Sequence, residues 1–167
     1  DNNSYNTLWK SDGTNLGTVE IKDLNLDQTS NSEFKFLHFN GSVFFAGGLA
    51  SLNGNELWKT DGTTNSTKIV HDVMKKWGVN TSEQSDFTKF NDKIIFAGTN
   101  SLSGIEPFIS DGTIAGTKII KDIVPGSSSS IWNFQDNRPF FTQAGNYVFF
   151  RASNGSGFEI FRTDGTE

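Results

Sequence analysis

The sequence predicts an all-β chain of β-propeller-type repeats, about three four-stranded antiparallel blades. Three observations predict it. The 167 residues include 17 Asn, 18 Ser, 16 Thr, 17 Gly and 16 Phe, and turn-formers with aromatics at that level call for many short strands joined by tight turns. No stretch carries the apolar 3.6-residue period of a helix. A seven-residue motif recurs four times at nearly constant spacing, the signature of a repeat architecture.

The motif is Leu8-Trp9-Lys10-Ser11-Asp12-Gly13-Thr14. It returns as Leu57-Trp58-Lys59-Thr60-Asp61-Gly62-Thr63, as Pro107-Phe108-Ile109-Ser110-Asp111-Gly112-Thr113, and as Ile160-Phe161-Arg162-Thr163-Asp164-Gly165-Thr166. The Asp residues are 49, 50 and 53 positions apart, and Glu56, Glu106 and Glu159 precede three of the four copies. After each of the first three Asp-Gly-Thr copies a second strand is predicted, at 18–24, 67–73 and 117–123. A variable connector follows, and then an aromatic strand at 34–39, 87–90 and 140–142. Each aromatic strand ends in a two-residue turn, Asn40-Gly41, Asn91-Asp92 or Gly145-Asn146, pairs that tolerate the positive φ such hairpins demand.

A strongly apolar strand leaves each turn: Val43-Phe44-Phe45-Ala46, Ile94-Ile95-Phe96-Ala97 and Val148-Phe149-Phe150. Continuous apolar runs suit burial on both faces, so these strands are expected near a propeller axis and among the most buried. A unit of about 50 residues with four strands is a propeller blade. The array spans 1–167, with repeats at 8–56, 57–106 and 107–159 and the start of a further one at 160–167.

At these residues the chain resembles the ELWxxDGT repeats of large secreted or surface proteins of bacteria, and its blade layout is similar to kelch repeats. That resemblance implies an extracellular or cell-surface location and a propeller fold. It implies no particular activity, because propellers host many.

Composition excludes several classes. With no Cys, a disulfide framework and a thiol nucleophile are ruled out. A net charge of −5 argues against a nucleic-acid surface, and no apolar run is long enough to insert in a membrane as a helix. About three blades leave an apolar face open at each end. Further blades of a longer polypeptide, or copies of the chain, are therefore the expected partners.

The repeated polar residues are the candidates for chemistry. Asp12-Gly13, Asp61-Gly62, Asp111-Gly112 and Asp164-Gly165 are assigned as structural turns, the Asp capping its own turn and the Gly supplying positive φ while Thr starts the next strand. Calcium is the alternative role, but each turn offers one carboxylate rather than an alternating series, so no cofactor or metal is assigned. Glu56, Glu106, Glu159, Asp23, Asp72 and Asp122 fall in repeated columns and are expected to hold the sheets together rather than to cleave glycosides. His38 and His71 form no zinc pattern. No catalytic residue is assigned.

Trp9, Trp58, Phe108 and Phe161 share one column and are expected to pack in the core or between blades. Trp77 and Trp132 lie in variable connectors, where exposed aromatics serve as platforms for glycans or surface proteins. The function expected from this pattern is a non-enzymatic module for adhesion, surface structure or partner binding. The competing class is a lectin-like binder or a carbohydrate-active enzyme with its site in connectors or further blades.

Overall fold

Tight turns set the registers of the sheets. Asn40 and Gly41 take φ of 47° and 71°, the double left-handed pair of a two-residue hairpin. At the two equivalent turns it is the first residue that is left-handed, Asn91 at 54° and Gly145 at 59°. The computed structural model describes residues 7–24, 36–49, 54–71, 87–100, 102–131 and 139–166. Among them it holds thirteen strands in four antiparallel sheets and no helix.

The first sheet pairs β1 (Thr7–Lys10) with β2 (Val19–Asp23). The second contains β3 (Leu37–Phe39), β4 (Ser42–Leu49), β5 (Gly54–Thr60) and β6 (Lys68–His71) in that order. The third contains β7 (Thr88–Phe90), β8 (Lys93–Gly98), β9 (Glu106–Ser110) and β10 (Lys118–Ile119), and the fourth β11 (Thr142–Ala144), β12 (Tyr147–Ser153) and β13 (Phe158–Thr163). Every sheet is a meander of sequence neighbours, and none closes into a barrel. A sheet starts at the aromatic strand and ends after the strand that follows Asp-Gly-Thr. It therefore straddles two motif-to-motif repeats.

Several local expectations are corrected. The apolar strands β4 and β8 are interior strands with a partner on each side, whereas an axis-lining strand would be a sheet edge. They are buried because neighbouring sheets cover both faces. β12 differs: Val148, Phe150 and Ala152 are buried while Tyr147 and Phe149 are exposed, so among the described residues one face alone is covered. In the fourth sheet the aromatic strand shifts to Thr142–Ala144, with Phe140 left-handed at 51° and exposed. The strand after the third Asp-Gly-Thr is only Lys118–Ile119.

The core follows one rule. Side chains alternate across each strand, so every sheet has two faces. The face toward the next sheet in chain order is its leading face, and the other is its trailing face. Phe44, Leu57 and Val70 on the leading face of the second sheet pack with Ile94, Phe96 and Phe108 on the trailing face of the third. Ile95, Ile109 and Ile120 then meet Val148, Phe150 and Ala152 of the fourth. At the other end, Leu8 of the first sheet and Leu24, just past β2, cover Phe45 and Trp58 of the second. Each fully buried Phe in these layers contributes about 1.5–3 kcal/mol, and ring pairs such as Phe45–Trp58 at 6.1 Å add geometric preference.

Candidate functional site

The four Asp-Gly-Thr copies fold into one recurring polar loop. Asp12 Oδ1 accepts from Thr14 N at 2.9 Å and from Thr14 Oγ1 at 2.8 Å. Gly13 N donates to Ser11 Oγ, while Ser11 Oγ and Thr18 Oγ1 lie 2.6 Å apart across the loop mouth. The same contacts recur as the pairs Thr60–Thr67 and Ser110–Thr117, both at 2.7 Å. The glycines hold φ of 85–90°, a region that strongly favours Gly. The expectation that Thr opens the next strand is corrected. Thr14, Thr63 and Thr113 stay within the loop, and strands resume at Val19, Lys68 and Lys118.

Second-copy chemistry shows how the loop tolerates substitution. Gly17 and Gly116 leave room for the Asp carboxylate, since a Cβ there would lie 1.9 Å from Asp12 Oδ1 and 2.0 Å from Asp111 Oδ1. The second copy has Ser66 instead, and its Oγ donates to Asp61 Oδ1.

These hydrogen bonds favour the ionised carboxylate. Asp12 is held below the ordinary 3.8 by the Thr14 amide and hydroxyl, and Asp61 by the Ser66 hydroxyl and then Thr63. Asp111 and Asp164 are lowered by Thr113 and Thr166. A lowered folded pKa contributes stability above 3.8 that disappears as pH falls through the lowered values. Acid should therefore loosen all four loops together, a change that amide exchange at Thr14, Thr63, Thr113 and Thr166 would register.

The loops also join one sheet to the next. Lys10 Nζ donates to the Gly62 carbonyl at 2.7 Å, and one repeat later Lys59 Nζ donates to the Gly112 carbonyl at 2.8 Å. At the third junction Ile109 replaces Lys, and its Cδ1 comes within 3.1 Å of where a Gly165 Cβ would stand. Thr64 Oγ1 and Lys22 Nζ add bonds to the Ile21 and Thr67 carbonyls across the first junction. Sequence reasoning missed these links, although Lys10 and Lys59 sit in one repeated column. Lys59→Met should cost about 1 kcal/mol through the lost charge-assisted bond, read by urea denaturation.

The repeated Glu has a separate task. Glu106 is fully buried and accepts from Ser130 N at 2.9 Å, from Ser130 Oγ and from Ile123 N at 3.1 Å. It thus pins the connector that leaves the third sheet. Burial raises its pKa above the ordinary 4.5, the Ser130 and Ile123 bonds oppose that, and the nearby Asp122 charge adds to it. Glu56 is equally buried, while Glu159 is exposed and accepts from Asn154 Nδ2 at 2.9 Å.

The aromatic column splits. Trp58 and Phe108 are buried, and Trp58 Nε1 donates to the Gly47 carbonyl at 3.0 Å. Trp9 is 56% exposed, against the expectation of packing. No sheet covers its face among the described residues. Trp77, Trp132 and Asp72 lie outside the described residues, as does the whole connector around Trp77, whereas the connector leading to Trp132 is described as far as Ile131. Asp23 and His38 are exposed on their strands. Among the described residues no three His, Cys, Asp or Glu side chains converge in the manner of a metal site. No family model matches this chain, and no curated protein or solved structure matches it.

Proposed function

We propose that the chain is a run of propeller-type blades of the ELWxxDGT kind, acting as a non-enzymatic module at the cell surface or outside the cell, in adhesion, surface structure or partner binding. The observation that carries this reading is what the repeated carboxylates hold. Asp12, Asp61, Asp111 and Asp164 each accept from a backbone amide and a hydroxyl of their own loop, and Glu106 binds its connector. These side chains serve as fasteners, and repetition of a fastener in every unit is what a scaffold requires. The blade reading itself is supported by the leading-to-trailing packing of all four sheets and by the Lys-to-Gly link repeated one unit apart.

Incubation with a glycan panel tests the reading. Neither release of sugar nor any other turnover is expected. Turnover would overturn the non-enzymatic assignment, and saturable binding without turnover would make the module lectin-like.

The turn role of the Asp residues has its own check. Asp61→Asn keeps an acceptor for Thr63 N and Ser66 Oγ, so its melting temperature should stay within about 3 °C of the parent's. Added calcium should move neither curve. A calcium-dependent rise in the parent that Asp61→Asn abolishes would assign the loops to metal binding instead. Gly62→Val, which forces a β-branched residue to a φ of 90°, should cost about 1–3 kcal/mol.

A further inference from the structure

Asparagine followed by glycine is a pair prone to react with itself. The glycine amide nitrogen reaches the side-chain carbonyl through a five-membered ring, and no Cβ obstructs it. The chain carries three such pairs, Asn40-Gly41, Asn53-Gly54 and Asn154-Gly155, and four Asp-Gly pairs open to the same attack. Both residues are described in all of these but Asn53-Gly54. Gly13 N, Gly62 N, Gly112 N and Gly165 N each donate to the Ser or Thr hydroxyl two residues back, and Gly155 N donates to Ser153 Oγ in the same way. Two residues back from Gly41 stands Phe39, which has no hydroxyl. We propose that Asn40 is a site of spontaneous deamidation, from which Asn154 is shielded by its hydrogen bonds.

The side chains differ as the glycine amides do. Asn154 Oδ1 accepts from Ser156 N at 2.8 Å and Gly157 N at 3.1 Å, and its Nδ2 donates to Glu159 Oε1 at 2.9 Å. Turning its Cγ toward Gly155 N breaks these bonds. Among the described residues, neither the Asn40 side chain nor Gly41 N makes a hydrogen bond. Both residues are exposed, and nothing lies within 4 Å of the missing Gly41 Cβ. The turn closes on β3, a three-residue strand at the edge of its sheet, the kind of element that opens locally at small cost. The equivalent turns lack the pair: Asn91-Asp92 puts a side chain on the attacking residue, and Gly145-Asn146 reverses the order.

In the reaction the Gly41 nitrogen bonds to Asn40 Cγ and the Cγ–Nδ2 bond breaks. Nδ2 leaves as ammonia, its third hydrogen replacing in balance the proton lost from the Gly41 amide. Water then opens the resulting succinimide. Attack at Cγ gives aspartate, and attack at the main-chain carbonyl gives isoaspartate, whose chain runs through the side chain. Either product places a negative charge at the tip of the turn. Isoaspartate also lengthens by one backbone atom a turn whose two residues set the pairs Phe39↔Ser42 and Leu37↔Phe44. Phe39 and Phe44 are buried in one core cluster, so the reaction loosens β3 with time.

The inference goes beyond the blade reading and does not depend on it. The 167-residue chain is held at mildly alkaline pH and physiological temperature, and digested samples are mapped by mass spectrometry, fragmentation separating Asn40 from Asn53. In the folded chain Asn40 should convert at least about tenfold faster than Asn154, which must first give up its hydrogen bonds. Unfolded in guanidinium chloride, the two should convert at similar rates. Comparable rates in the folded chain, a faster Asn154, or a gap that survives unfolding would each overturn the proposal. Asn40→Asp adds the charge without the extra atom, so its β3 amides should exchange as slowly as the parent's. Those of the isoaspartyl fraction should exchange faster, and equal protection in that fraction would overturn the predicted loosening.

Discussion

Gly104→Ala should lower stability by about 3 kcal/mol, one of the two largest losses expected for a single substitution here. An added Cβ would lie 2.3 Å from the Ser128 carbonyl oxygen, 2.4 Å from its carbon and 2.6 Å from Ser129 N. All three atoms are backbone, and that backbone is tied down. Gly104 N donates to the Gly126 carbonyl at 3.0 Å, Ile105 N to Ser129 Oγ, and Ile131 N to the Ile105 carbonyl. The connector cannot retreat without breaking these bonds. Gly157 stands two residues before its Glu, as Gly104 does, yet nothing lies within 4 Å of its missing Cβ. Gly157→Ala should therefore change stability by less than about 1 kcal/mol. Paired urea denaturations decide the matter: equal losses at the two glycines would show that backbone conformation, not the connector, requires them.

Glu106→Ala should cost about 2–4 kcal/mol, because it strands the amide of Ile123 and the hydroxyl of Ser130 in a buried site. Glu106→Gln tests the charge alone. Since burial raises the folded pKa of Glu106 above 4.5, its protonated form is the one the fold favours. That contribution is complete below 4.5 and is lost as pH rises through the raised value. Glutamine cannot ionise, so the stability gap between parent and Glu106→Gln should narrow as pH rises from about 4 to 7. A gap that widens would show that the carboxylate's hydrogen bonds outweigh its burial.

Local features of the fold were legible because local chemistry determines them. Asn40-Gly41 and Asn91-Asp92 are turn pairs whatever lies around them, and strands start beside them at Ser42 and Lys93. The Asp-Gly-Thr loop was legible for its cap and its glycine, but its length depends on the Thr18 hydroxyl, which meets Ser11 Oγ seven positions back and donates to the Thr14 carbonyl four positions back. What depends on neighbouring sheets was not legible. Trp9 and Trp58 share a column, and only the presence of a sheet over one of them separates exposed from buried. Glu106 has its partners at Ile123 and Ser130, in a connector whose sequence does not repeat. The covered and open faces of β12 differ for the same reason: Phe149 and Phe150 are adjacent and identical, and packing alone tells them apart.

The Lys10–Gly62 and Lys59–Gly112 links connect residues 52 and 53 positions apart, and every core cluster joins sheets adjacent in chain order. Sheets that, among the described residues, bond to their nearest neighbours alone transmit load in series. Pulled from its two ends, such a chain strains every junction equally, and the weakest sheet should yield first. Every step then frees about 50 residues, or about 170 Å of extended chain. Under tension the described sheets should therefore lengthen the chain stepwise, those still folded keeping their faces together.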